Sequence, residues 1–423
     1  MLDTIEEEIQ SKYKGAKKYY ITFIKWLILS VIVGVVCGSI GTFFFYCVSG
    51  STIVRQMFPN LIFLLPFAGM LIVFSYNSLG MKDDKGTNLV ISSIRSKDEV
   101  PLRMVLLIFT STSITHLFGG SAGREGAALQ IGGGIGTKIG KIFKLDERGL
   151  SILTMCGMSA VFSALFGTPL TAAIFSMEVV SVGLMYYSAL VPCLFSSVIA
   201  YEMAIHAGVE FEVYKVTNLP PDTILTYGKV ILVGLCCAMM GVIFCELMHK
   251  FSKYIHNIIK NRYVLVFAGG VAIIILTLLV GNQNYNGAGT AIIEEAIAGD
   301  AEWYSFILKM IFTVITLSCG FKGGEIVPTF FIGATLGCVL GPLVGLSSSF
   351  GAALGLIGMF CAVVNCPIAS LILSVELFGV NRIILFAIVC AVSYMMSGTY
   401  SLYSSQKIMY SKLEPEYINR NAK

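Results

Sequence analysis

Apolar residues in this chain come in runs long enough to cross a bilayer, separated by short polar breaks. A hydrocarbon core of about 30 Å takes roughly 20 apolar residues per crossing helix. Residues 21–48, 61–74, 104–118, 230–247, 264–281 and 383–396 form such runs, and residues 326–375 contain no charged side chain at all. That last stretch is enough for two or more helices with connections at membrane depth. Transmembrane barrels give weak alternating segments instead, so the pattern predicts an all-α polytopic membrane protein.

The pattern also repeats. Residues 166–178 read FGTPLTAAIFSME and residues 364–376 read VNCPIASLILSVE, so Pro169, Ile174, Ser176 and Glu178 match Pro367, Ile372, Ser374 and Glu376 without a gap. Upstream of each stands a second pair, IGGGIG at 131–136 and IGATLG at 332–337. Two ordered matches at nearly constant offset read as internal duplication rather than chance likeness. The expected organisation is an N-terminal segment at 1–19, a first membrane repeat at 20–207, a linker at 208–225, a second repeat at 226–409 and a short tail at 410–423. Duplicated transporters hold their substrate near mid-membrane, where broken helices of both halves meet. Segments interrupted around Gly86, Gly123 and Gly323 are such breaks, since a helix ending at membrane depth is tolerated only where it lines a cavity.

Composition narrows this picture little. The chain is 56% hydrophobic and 13% charged, against about 25% charged in soluble domains. Residues 1–18 are polar and the first apolar run is too long for a cleavable signal. Lys12, Lys14, Lys17 and Lys18 precede the first span, so positive-inside bias places that end, and with it both termini, in the cytoplasm of an inner-membrane protein. A net charge of +4 spread over tails and loops is no nucleic-acid footprint. The 12 cysteines lie mostly inside apolar runs without metal-ligand spacing; no metal or cofactor is expected.

Ionisable residues inside these runs default to function. Gly123-Arg124-Glu125-Gly126-Ala127 sits at a glycine-flanked helix start, where free N–H groups and the positive dipole end attract an anion; the alternative is a structural Arg124–Glu125 pair. Lys322-Gly323-Gly324-Glu325-Ile326-Val327-Pro328 opens a second helix, with Pro328 in the first turn. The N–H groups of Glu325, Ile326 and Val327 then face the same cavity, unless Glu325 merely caps its own helix. In Lys85-Gly86-Thr87-Asn88, Asn88 is either an N-cap or an amide donor to an ion. In Leu402-Tyr403-Ser404, Tyr403 is either an interfacial-belt residue or an inward phenol.

These motifs together resemble the CLC chloride channels and transporters over nearly the whole chain. GREGA at Gly123 is similar to that family's GREGP, KGGEIVP at Lys322 to GKGxFxP, and Tyr403 falls where its inner-gate tyrosine is expected. The resemblance implies a fold of two inverted-topology repeats with broken, tilted helices, and a homodimer with one pathway per subunit. Three departures point within the family. Gly86-Thr87-Asn88 replaces the chloride-binding GSGIP serine, Val179 replaces the internal proton-transfer glutamate, and Glu325 stands where chloride members have an apolar residue. Together they look like the fluoride-exporting branch, although that branch often has Met where Thr87 stands. The residues implied to bind the anion are Thr87, Asn88, Gly126, Ala127, Glu325, Ile326, Val327 and Tyr403. Glu125 is implied as the gating and proton glutamate, and Glu325 as a second proton residue. Phe330 and Phe331 follow as candidate ring contacts.

Fluoride and protons are thus the expected partners, alongside membrane lipid. The nearest rival is a chloride/proton antiporter or channel of the same fold. A rival of another class is an intramembrane serine hydrolase, because Gly119-Gly120-Ser121-Ala122-Gly123 fits G-x-S-x-G, with His116 nearby; that elbow needs a strand-to-helix turn absent from a helical context. The tail after Lys407 is too short for a regulatory nucleotide-binding domain.

Overall fold

The computed structural model describes residues 2–423 apart from 97, 99 and 212, with side chains from residue 17 onward; the side chains of Lys12 and Lys14 lie outside it. In chain order the helices are α1 (Leu2–Met57), α2 (Leu65–Ser78), α3 (Thr87–Ser93), α4 (Leu102–Leu117), α5 (Glu125–Ile142), α6 (Glu147–Phe166), α7 (Pro169–Glu178) and α8 (Leu190–His206). Then follow α9 (Ile224–Ile258), α10 (Arg262–Val280), α11 (Thr290–Ala298), α12 (Ser305–Ser318), α13 (Ile326–Leu343), α14 (Ser348–Val364), α15 (Pro367–Phe378) and α16 (Ile383–Met396). Among the described residues seven segments are long and apolar enough to span a bilayer. Ile24, Phe43, Leu278 and Leu279 on these helices are exposed, as lipid-facing side chains are. The chain is a multi-pass membrane protein.

Each predicted apolar run became a helix, and the uncharged stretch became three, α13 to α15. The sequence pattern did not show the small sheet. Strands β1 (Ser181–Val182), β2 (Lys407–Tyr410) and β3 (Tyr417–Asn421) lie in that order, β1 parallel and β3 antiparallel to β2. A two-residue strand paired with one more than 200 positions away leaves no local period to read.

The duplicated motifs do the same structural work twice. A Cβ at Gly132 would lie 2.0 Å from Gly157 O, and one at Gly333 2.4 Å from Gly355 O. At Gly136 and Gly337 the corresponding separations, to Leu153 O and Gly351 O, are both 2.1 Å. Only glycine therefore lets α5 lie on α6, and α13 on α14, at backbone contact. Asp146 and Ser347 cap α6 and α14 by accepting from Gly149 N–H and Phe350 N–H.

The second repeated motif ties the copies together. Leu170 and Thr171 N–H, at the start of α7, donate to the two carboxylate oxygens of Glu376 at 2.8 and 2.9 Å. Ile368 and Ala369 N–H, at the start of α15, donate to Glu178 at 3.2 and 2.9 Å. Each helix begins with Pro169 or Pro367, whose missing N–H costs nothing there. Each is capped by the carboxylate that ends the other.

Candidate functional site

The two ionisable motifs meet through their backbones. Gly123 N–H donates to Gly324 O at 2.7 Å and Gly324 N–H to Gly123 O at 2.8 Å, a single antiparallel bridge. α5 and α13 start immediately after it and so point their N-terminal N–H groups at a shared centre. The approach is possible because the motifs are glycine: a Cβ at Gly324 would sit 2.6 Å from Gly126 N and 2.7 Å from Glu125 N.

Glu125 is fully buried at this joint. Its Oε2 accepts from Val327 N–H of the opposite helix at 3.2 Å, while Oε1 has no partner. One half thus presents a carboxylate to a donor of the other. The Arg124 guanidinium turns the opposite way, donating to Leu165 O at 3.2 Å and lying 4.6 Å from the Phe45 ring centre and 5.7 Å from that of Phe166. Gly126 closes on the same spot, since a Cβ there would be 3.2 Å from Gly323 O and from Thr87 Oγ1. Ala127 and Ile326 are buried in the first turns of their helices.

Thr87 joins this group with its hydroxyl, which donates to Gly126 O at 3.3 Å and accepts from Gln130 Nε2 at 3.2 Å. Gln130 was not singled out in the sequence, where it is one amide on a glycine-rich helix. It is 3% exposed and its Oε1 lacks a partner. Asn88 is not the helix cap: Gly86, at φ 56°, holds that position for α3 without a side-chain bond. The Asn88 Oδ1 instead accepts from Ser405 N–H at 2.9 Å, which fastens α3 to the loop carrying Tyr403. The half-buried Asn88 is thus tied to that loop rather than capping α3.

Tyr403 is not an interfacial-belt residue. It is 1% exposed, its hydroxyl has no partner, and it lies within electrostatic range of both Glu325 and Glu125. Glu325 precedes α13 without capping it through its side chain, is half-buried, and leaves Oε2 unpartnered. Val179 is fully buried and its carbonyl accepts from Gln406 Nε2 at 3.0 Å. The same amide nitrogen donates to Val364 O at 2.8 Å, so Gln406 braces the ends of α7 and α14 beside the Tyr403 loop. Phe331 lies under the ammonium of Lys309, whereas Phe330 lines a cavity next to Val327.

The hydrolase alternative fails on partners. Ser121 Oγ pairs with Thr313 Oγ1 at 3.1 Å, and His116 Nε2 sits 3.3 Å from Gly123 O rather than on the serine. The cysteines among the described residues are free thiols, most of them buried in the helix core.

Comparison with known proteins bears on the fold and the family. Residues 68–398 match the family described as voltage gated chloride channel. A chloride/fluoride channel protein of Pseudomonas syringae pv. tomato is 35% identical over 92% of this chain and 87% of its own length. The crystal structure of a CLC-type fluoride/proton antiporter superposes with a TM-score of 0.88 at 33% identity, covering 92% of this chain and 98% of that one. A slow cyanobacterial Cl-/H+ antiporter shares the fold at TM-score 0.74 and 19% identity, over 88% of this chain and 94% of the other. With more than half its length matched and a joint built from both repeats, the chain belongs to the voltage gated chloride channel (CLC) family.

Proposed function

We propose that this chain is a fluoride/proton antiporter that exports cytosolic fluoride against inward proton flow. The observation that carries the reading is the buried Glu125 carboxylate resting on Val327 N–H, one half-helix start plugging the donor of the other. The names borne by a 35% identical relative and by a 33% identical structure support it.

Fluoride holds water tightly, and a dry site must replace that water with strong donors. Backbone N–H groups at the starts of α5 and α13 supply them, with the Tyr403 hydroxyl and the Asn88 amide toward the α3 side. Ionised Glu125 competes with fluoride for these donors. Protonated, it is a weak acceptor, releases Val327 N–H, and carries a proton past the anion. Val179 offers no titratable group for the next transfer, so Glu325, with its unpartnered Oε2, takes it.

The reading treats residues 20–207 and 226–409 as inverted copies joined by 208–225. It places the protein in the inner membrane as a homodimer, with the lysine-rich start of α1 and the tail on the cytoplasmic side. Protons entering that compartment are exchanged for fluoride leaving it. The second reading, a chloride/proton antiporter, draws on Thr87, whose hydroxyl at the joint resembles a serine-type halide ligand.

Efflux from proteoliposomes separates the two. Fluoride loaded inside is expected to leave at least about tenfold faster than chloride, a difference of ~1.4 kcal/mol in barrier, with proton uptake in step. Equal rates for the two halides rule out the fluoride reading and leave the chloride one.

A further inference from the structure

The stretch matched to the family ends at residue 398, and beyond it the chain closes into the β2–β3 hairpin. That hairpin is packed rather than loose, since Val182, Ile408 and Ala422 form an apolar cluster with Tyr394 and Ile418 against it. From the turn between its strands Lys412 reaches back to the ends of two membrane helices. Its ammonium donates to Tyr394 O at 2.7 Å, to Ser397 Oγ at 2.9 Å and to Asn365 Oδ1, and lies 4.2 Å from the centre of the Tyr394 ring. Tyr394 stands in the last turn of α16, Ser397 caps that helix, and Asn365, at φ 57°, caps α14. A cation at helix C-termini sits where the dipoles favour it.

This one charge gives a sense to a chain of amides. An ammonium only donates, so the Asn365 side chain must turn its oxygen to Lys412 and its nitrogen the other way. The nitrogen donates to Tyr400 O at 2.9 Å and to Gln406 Oε1 at 3.0 Å. With its oxygen taken, Gln406 has only its Nε2 left for the carbonyls of Val179 and Val364. Asn365 and Gln406 are both fully buried. Asn365 thus grips residues 400 and 406, the two ends of a segment whose middle residue is Tyr403. Within the segment Leu402 N–H donates to Val363 O and Gln406 N–H to Tyr403 O, each at 2.9 Å.

We infer that Lys412 is a positioning residue for the Tyr403 phenol, acting through Asn365 and Gln406. The tail hairpin is then the part that fixes where this phenol stands relative to Glu125 and Glu325. Loss of the ammonium frees the Asn365 amide to turn over, and with it the hold on both ends of the segment. The fastening stands by itself, whereas its effect on anion affinity rests on the transport reading.

Hydrogen exchange of the full-length chain in detergent tests the fastening without any transport. The Leu402 and Gln406 amides are expected to be protected in the unaltered protein, and to exchange at least about tenfold faster in Lys412→Met with the α13 amides unchanged. Fast exchange at both positions in the unaltered chain, or unchanged exchange in the variant, overturns the proposal. In proteoliposomes Lys412→Met is expected to raise the half-saturating fluoride concentration about fivefold with the maximal rate nearly kept, and Lys412→Arg to stay closer to the unaltered value. In a Tyr403→Phe background the same substitution is expected to change that concentration by less than about twofold, because the hydroxyl it positions is already gone. Equal effects in the two backgrounds overturn the positioning role. Absence of fluoride flux in the unaltered protein sinks the transport reading, and the exchange result then decides the fastening alone.

Discussion

At the contact between α7 and α15 each carboxylate is held by two backbone N–H groups of the opposite repeat, whereas at the joint between α5 and α13 one carboxylate is held by one such group. Both contacts cross between the repeats and both set a glutamate against a helix start, where the dipole favours negative charge. Glu178 and Glu376 have both oxygens satisfied, at 2.8 to 3.2 Å, and each is locked by the start of the helix that the other ends. Glu125 takes one bond of 3.2 Å from the opposite repeat, beside the N–H groups of its own turn, and leaves one oxygen idle. Under the proposed function, the difference between a clamp and a gate is how many donors of the opposite repeat must be given up for the side chain to leave.

The sharpest way to break this contrast is Glu125→Gln. The amide cannot take and release a proton, so proton movement coupled to anion efflux is expected to fall to background, read as loss of pH change accompanying fluoride efflux in proteoliposomes. Intact coupling in that variant removes Glu125 from the gate. Glu376→Gln is expected to behave in the opposite manner. An amide keeps one acceptor and turns its NH2 toward a helix N–H, leaving that donor unsatisfied at a cost of about 1–3 kcal/mol. Melting in detergent reads this as reduced stability with the coupling ratio preserved; altered coupling without destabilisation contradicts the clamp. Tyr403→Phe is the smallest change. The hydroxyl it deletes has no protein partner, so stability is expected to shift by less than about 0.5 kcal/mol, while the half-saturating fluoride concentration rises. A large loss of stability, with anion affinity unmoved, assigns that hydroxyl a structural bond instead.

How much of this was readable beforehand follows from what each residue's neighbours in sequence reveal. Glu125 and Glu325 stand out because a carboxylate inside a glycine-broken apolar run is costly, and the repeats betray that two such breaks belong together. The glycines at 132, 136, 333 and 337 are visible as a motif, though only the fold shows that they admit backbone against backbone. Asn88 has the spacing of a cap, but its partner, Ser405 N–H, lies 317 positions away and leaves no trace in local pattern. Gln130 is the one amide on a glycine-rich helix that also carries Glu125, Lys138 and Lys141, and Lys309 is the one charged residue on α12.

The bridge between Gly123 and Gly324 also sets an order of events at the ribosome. At roughly 5–20 residues per second, the second glycine is made some ten to forty seconds after the first. Throughout that interval Glu125 waits in the insertion machinery or the lipid without the donor it is shaped for. The joint is thus incomplete until the second half is made, and a first half alone offers Glu125 no Val327 N–H.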